Sequence, residues 1–315
     1  MKYIDTLREG MRISEVYLCK SKQICLTKSG KEYGNLVLQD KTGTIDSKIW
    51  ELSSPGVSYF EVMNYVHVDA DVTVFQNSNQ LNIKRIRRAD EGEYSPADYL
   101  PVSTKNIGKM YEELIGYVRS IKNPYLAKLA SSFFLEDQKF IKEFRVHSAA
   151  KSVHHGFVGG LLEHTLGVVK MCDYFAGFYA GLNRDLLVSA AMFHDIGKMK
   201  ELSVFPENDY TDDGQLLGHI VIGTEMLTER IRQIEGFPKK LESELKHCIL
   251  SHHGELEYGS PKKPALLEAL ALNFADNTDA KIETMIEALK NGGDNPGWLG
   301  YNKLFETNIR KTTEY

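Results

Sequence analysis

The adjacent pair His194-Asp195 carries the clearest chemical signal in the sequence. An apolar run, LLVSAAMF, leads directly into it, and Ile196-Gly197-Lys198 follow. An apolar helix ending on His and Asp places an imidazole nitrogen and a carboxylate oxygen at the floor of a packed core. Such a mixed set suits Mn²⁺, Fe²⁺, Co²⁺, Ni²⁺ or Zn²⁺, and Mg²⁺ where carboxylate and water dominate. Gly197 relaxes the chain behind the pair, and Lys198 sets a cation where a phosphate could sit. His164 lies 30 residues earlier, in GGLLEHT, on a long amphipathic pattern. Asp276, in ALNFADNTDAK, is an acid embedded in an apolar helical stretch. His219 opens an apolar segment in LLGHIVIG, and His252-His253 closes another in ILSHHGELEYGSP.

A metal-ligand set beside a lysine could do hydrolytic chemistry at a phosphate. Bound divalent ions, one or two per chain, lower the pKa of water and neutralise phosphoryl oxygens. Asp195 and Lys198 are the expected catalytic groups, the lysine stabilising developing charge. No Gly-rich phosphate loop and no Gly-x-Ser-x-Gly elbow occurs, so ATP coupling and serine acyl chemistry have no support.

Two kinds of element must position these residues. Residues 13–88 read as five short strands: 16–27, 35–39, 44–50, 65–75 and 80–86, with a short irregular or helical link at 55–63. In YVHVDADVTVF, Val66, Val68, Ala70, Val72 and Val74 share one face. This is the pattern of a small Greek-key barrel of the OB type. Residues 91–103 mix charge, Gly and Pro and read as a linker. Beyond them the apolar spacing turns to three and four. Helices are expected at 105–121 with Thr104 as N-cap, and at 125–134, 137–145, 160–179, 185–194, 219–234, 239–252 and 263–289. The expected fold is therefore multi-domain: a small all-β OB-fold barrel over 1–90, then an all-α helical bundle over 104–315.

The order H…HD…D formed by His164, His194-Asp195 and Asp276 resembles the HD-domain superfamily of metal-dependent phosphohydrolases. That resemblance implies one metal held by those four residues. The fuller order, with His219 and His252-His253, resembles the HD proteins that hold two metals. It implies that Asp195 bridges while His219, His252 and His253 lean toward the second ion. A barrel carrying LVLQDKTGTIDSKIW, followed by HHGFVGGLLEHT, FHDIGK, GHIVIG, SHHGELEYGSPKKP and ALNFADN, resembles the YhaM-type 3′→5′ exoribonucleases. The resemblance implies a cytoplasmic, Mn²⁺- or Co²⁺-favouring enzyme, with oligomerisation as a further family trait. It would degrade single-stranded RNA, and single-stranded DNA as a second candidate, to nucleoside 5′-monophosphates. It also gives His154 and His155 a substrate-phosphate or supporting role. On the barrel, Tyr33, Trp50, Lys84, Arg85 and Arg87 are candidates to stack bases and track the backbone. Two alternatives stay open: an HD phosphohydrolase acting on a small nucleotide, and a non-enzymatic nucleic-acid-binding accessory protein.

Bulk properties bound these readings. The chain has 315 residues and a formal net charge of −5. Residues 1–90 hold 13 Lys/Arg against 11 Asp/Glu, and the remainder 25 against 32. A polyanion would thus be held by a local patch or by metal ions rather than by bulk charge. The start, MKYIDTLREGMRISE, has no apolar core, which predicts no secretory signal. Four scattered cysteines, with no CxxC, fit a reducing cytoplasm.

Overall fold

In the computed structural model of the chain, the described residues are 1–315 apart from 77, 96–97, 101, 152–154, 292–296 and 314–315. The chain divides into two compact units: Met1–Val102 with Phe205–Glu207, and Ser103–Val204 with Asn208–Tyr315.

The first unit is a closed five-stranded barrel. Its strands are β1 (Arg12–Leu26), β2 (Glu32–Asp40), β3 (Gly43–Ile49), β4 (Tyr65–Phe75) and β5 (Ser78–Arg88). They join in the order β1-β2-β3-β5-β4, and β4 closes on β1. All pairings are antiparallel except β3 with β5. This is the expected OB-type topology. Alternation sends Leu36, Leu38, Ile45, Ile49, Val66, Val68, Val72, Leu81 and Ile83 into the core. Val74 departs from the expected face: it is 43% exposed, because β4 outruns its buried register there. The link at 55–63 is irregular rather than helical and makes one bridge, Val57 to Ile86. The stretch read as a linker contributes to this unit. Tyr94 stacks on Tyr65 with centroids 3.9 Å apart, and the Tyr99 carbonyl accepts from Gln39 Nε2.

The second unit is built from α1 (Ile107–Ser120), α2 (Pro124–Ser131), α3 (Gln138–Phe144), α4 (Gly160–Phe178), α5 (Arg184–Phe193), α6 (Lys198–Glu201), α7 (Asp212–Ile231), α8 (Lys239–Leu250) and α9 (Leu267–Asn291). Side-chain caps start several of these. Asn106, not Thr104, caps α1 by accepting from Lys109 N, and Asn183 caps α5 by accepting from Leu186 N. Helix α5 is buried from Leu186 to Phe193, and α4 nearly as completely over its first half. Helices apolar on every side belong at the centre, and the other helices pack around these two. Helix α7 is longer than its periodicity suggested: it begins at Asp212, breaks at Gly218 and resumes at His219. Gly218 has φ 73° and ψ 159°, a region essentially reserved for glycine. The unit is not purely helical. A short hairpin, β6 (Trp298–Asn302) with β7 (Thr307–Arg310), follows α9. Strands of five and four residues carry too little periodicity to be recognised in sequence.

Candidate metal centre

Five histidines converge in the helical unit, and each is oriented by an oxygen on its Nδ1. His194 lies at the C-terminal end of α5 and donates Nδ1–H to the Ala191 carbonyl at 2.8 Å. His252 repeats this at the end of α8, donating to the Ile249 carbonyl at 2.7 Å. Both bonds satisfy carbonyls that a helix terminus leaves unpaired. His253 donates to the Tyr258 carbonyl (2.7 Å), His164 to Asp279 Oδ2 (2.7 Å) and His219 to Glu201 Oε1 (3.0 Å). With Nδ1 engaged, each ring turns Nε2 inward, and His164 Nε2 lies within hydrogen-bond distance of His194 Nε2, at 3.1 Å.

Those nitrogens surround Asp195 on both of its oxygens. On the Oδ2 side lie His164 Nε2 (3.3 Å) and His194 Nε2 (3.4 Å), and Asp276 Oδ1 is 3.1 Å from His164 Nε2. On the Oδ1 side lie His219 Nε2 (3.5 Å) and His252 Nε2 (3.7 Å). Ligand atoms of His164, His194 and Asp276 lie within 4.8 Å of one another, and so do those of His219, His252 and His253. Asp195 Oδ1, His219 Nε2 and His252 Nε2 are buried and make no hydrogen bond. A buried polar atom without a partner costs roughly 1–3 kcal/mol. Three such atoms close together fit the coordination of a cation, and imidazole with carboxylate is the donor set of a divalent ion.

The electrostatics agree. Lys198 Nζ is 2.7 Å from Asp195 Oδ2 and also feels Asp276 and Glu201. Burial works against a charged His164, but Asp195, Asp276 and Asp279 outweigh it and hold its pKa well above the usual imidazole value. Burial, then the neighbouring rings of His253 and His194, push His252 well below that value, so this ring stays neutral. Burial opposes ionisation of Asp195, yet Lys198, His194 and His164 keep it well below the usual carboxylate range. Lys198 is held protonated against its burial by Asp195. The cluster is rich in carboxylates, and His252 and His253, both held below the usual imidazole value mainly by burial, lie at its second side.

The surrounding backbone is tight. A Cβ on Gly197 would stand 2.0 Å from the His219 carbonyl oxygen and 2.6 Å from Gly223 N. Glycine lets the segment behind His194-Asp195 press on α7 and so brings His219 within reach of Asp195. Gly197→Ala should destabilise the fold by about 2 kcal/mol or more. A urea melt of the variant checks this, and an unchanged midpoint would refute the packing argument.

Two supporting residues were not anticipated. Asp279, one helical turn beyond Asp276, accepts from His164 Nδ1 and lies 3.0 Å from His155 Nε2. Glu201 accepts from both the backbone N–H and the Nδ1–H of His219, each at 3.0 Å, and so caps α7 where Gly218 breaks it. The signal for Asp279 was its spacing of three from Asp276 in ADNTD. We expect Asp279→Ala to weaken divalent-ion affinity by about 10–100-fold. Calorimetric Mn²⁺ titration measures this, and wild-type affinity would show that Asp279 orients nothing.

His155 faces Asp279 inside the cluster, and His154 lies outside the described residues. On the barrel, Tyr33 and Trp50 stack with centroids 5.0 Å apart, and Lys48 Nζ lies 5.7 Å from the Tyr33 ring centroid. Trp50 is 44% exposed, so this ring is no core residue. In the run at Lys84, Arg85 and Arg87, two of the three cations are paired with carboxylates, and Arg85 is exposed. Lys84 pairs with Asp71 at 2.5 Å and Arg87 with Glu93 at 2.6 Å. A bulge opposite Asp69 and Ala70 turns Lys84 and Arg85 both outward.

The helical bundle with paired His and Asp at its centre defines an HD domain, and the HD-domain family model matches residues 161–281. Two relatives cover most of the chain. The 3′-5′ exoribonuclease YhaM of Bacillus velezensis is 36% identical over 284 residues, covering 89% of this chain and 88% of that protein. The protein of the same name from Listeria monocytogenes serotype 4b (strain F2365) is 31% identical, over 94% of this chain and 97% of its own. Among solved structures, the second OB-fold domain of replication protein A from Methanococcus maripaludis covers 29% of this chain and 96% of its own, at 16% identity and a TM-score of 0.24. The chain belongs to the YhaM family of 3′-5′ exoribonucleases.

Proposed function

We propose that this chain is a metal-dependent 3′→5′ exoribonuclease that hydrolyses single-stranded RNA, with single-stranded DNA as a second substrate, to nucleoside 5′-monophosphates. The observation that carries the reading is the convergence of Asp195 Oδ1, His219 Nε2 and His252 Nε2, buried without partners, beside a second ligand set that uses Asp195 Oδ2. His164, His194, Asp195 and Asp276 would hold one divalent ion, and Asp195, His219, His252 and His253 another. Bound ions, Mn²⁺ or Co²⁺ first among them, would supply an activated water and offset the charge on the phosphoryl oxygens. Asp195 sets the spacing of the two ligand sets. Asp279 and Glu201 engage Nδ1 of His164 and His219 and so turn Nε2 of each ring toward the ligand sets. Lys198 keeps its proton and lines the cleft over the cluster, where it counters charge on the phosphate under attack.

The barrel supplies the strand-binding half of the proposal. A stacked, half-exposed Tyr33–Trp50 pair with Lys48 beside it matches the aromatic-plus-cation pattern of single-strand binding. Lys84 and Arg87 are spent on carboxylates, which ranks them below this pair. A cytoplasmic location fits four free cysteines, of which Cys19, Cys172 and Cys248 are buried. Among the described residues, no helix is long and apolar enough to cross a membrane. Self-association belongs to the same reading, and sedimentation of the intact chain tests it.

The decisive assay gives the purified protein Mn²⁺ and 5′-labelled single-stranded RNA. The expected result is a ladder shortening from the 3′ end with release of nucleoside 5′-monophosphates. Intact RNA beside hydrolysis of a free nucleotide would replace this reading with the small-nucleotide one.

A further inference from the structure

A cleft of about 490 Å³ opens directly over the histidine–aspartate cluster, with His164, Asp276 and Lys198 among its lining residues. It lies in the size range of a single small-ligand site. Helix α9 supplies one wall through Asn273, Asn277 and Lys281, spaced four apart and therefore stacked along one helical face. The turn after α8 supplies Tyr258 on another side. Gly259 follows in the left-handed conformation, φ 84°, which ends that turn.

Most polar groups in the cleft are already committed. Lys198 is on Asp195, His155 on Asp279, and Asn273 Nδ2 donates to the His252 carbonyl at 2.7 Å. Three are unspent. Tyr258 is 68% exposed, and its bonds to Glu255 and His253 are made by its backbone N–H and carbonyl. Asn277 and Lys281 are exposed, and among the described residues Lys281 has no carboxylate partner. Tyr258 is the one carbocyclic ring among the described lining residues. A π-face, an amide and an ammonium around a cluster that binds phosphate match the three parts of a nucleotide: base, ribose and phosphate.

We propose that Tyr258, Asn277 and Lys281 form the subsite for the 3′-terminal nucleotide: Tyr258 stacks on its base, Asn277 bonds its ribose hydroxyls, and Lys281 pairs with a phosphate oxygen of the strand. This rests on the exoribonuclease reading above. It adds that the terminal base is gripped by stacking and not by edge recognition, so all four bases are accepted. The bond from the His253 imidazole to the Tyr258 carbonyl ties the backbone of this subsite to the proposed second ligand set.

The test uses the full chain with Mn²⁺. Tyr258→Ala should raise KM for single-stranded RNA about tenfold, with the loss falling on KM more than on kcat, and Tyr258→Phe should restore it to within about twofold. Adenosine 5′-monophosphate should inhibit the wild type at roughly tenfold lower concentration than ribose 5-phosphate, and Tyr258→Ala should erase that difference. Lys281→Ala should flatten the dependence of log KM on log salt by about 0.7. Tyr258 is exposed, so the variant is expected to melt with the wild type, and thermal unfolding confirms it. If the wild type shortens RNA but Tyr258→Ala keeps both its KM and the discrimination between the two inhibitors, this subsite is wrong while the activity stands. If the wild type leaves RNA intact, the parent reading fails first.

Discussion

Asp195→Asn should lose RNA hydrolysis by about a thousandfold or more and should retain almost no bound divalent ion. The reason lies in the carboxylate's two faces. Oδ2 meets His164, His194 and Lys198, and Oδ1 meets His219 and His252. Its two oxygens each meet one ligand set, so one substitution removes a ligand from each. The amide that replaces it carries no charge, and its NH₂ group points a donor where a cation should sit. The same change leaves Lys198 buried opposite a neutral group, which costs stability as well. Elemental analysis of the purified variant and a labelled-RNA assay measure the two effects, and far-UV circular dichroism confirms that the helices remain. A variant that keeps a tenth of the activity, or a full complement of metal, would refute the bridging role.

The second large effect is thermal. An ion that binds only the folded state stabilises it by about 2.7 kcal/mol at 100 times its Kd. For a unit of this size that corresponds to a rise in Tm of roughly 5–10 °C. Adding Mn²⁺ after chelation should therefore shift the melting of the helical unit, followed at 222 nm, upward by that amount. The variants separate the two ligand sets. His252→Ala touches only the Oδ1 side and should keep part of the shift, while Asp195→Asn should keep none. The direction follows from the buried atoms without partners, which the ion would pair, and from the negative charge it would neutralise. An identical melting curve with and without metal, in protein shown by elemental analysis to have been stripped, would mean that the cluster is stabilised by its own protons instead.

Much of this was legible in the residue order. The strands at 65–75 alternate so regularly that β4 has the expected bounds, and the barrel's order followed from five strands with a link after the third. His194-Asp195 was placed correctly because an apolar run such as LLVSAAMF can only be central, and its end must carry whatever polar residues the core admits. Lys84, Arg85 and Arg87 were less readable, because pairing with Asp71 and Glu93 depends on a bulge and a turn that no local pattern announces. The hairpin after α9 escaped for lack of length. Tyr94 and Tyr99 were read as linker because Gly, Pro and charge dominate their neighbourhood, although their rings pack on the barrel.

What the sequence determined by itself was chemistry: which side chains can ligate a cation, which segments are apolar on every side, and hence that imidazoles and carboxylates sit inside. These are local properties, carried by residue type and period. What only the tertiary structure decided was aim. His164, Asp195, His219, His252 and Asp276 come from α4, the end of α5, the restart of α7, the end of α8 and α9. Whether their nitrogens and oxygens meet depends on how closely those helices approach, and glycine at 197 sets one such approach to within an atom's radius. Asp279 and Glu201 show their contacts only there, because a residue that orients another is defined by distance in space and not by position in the chain.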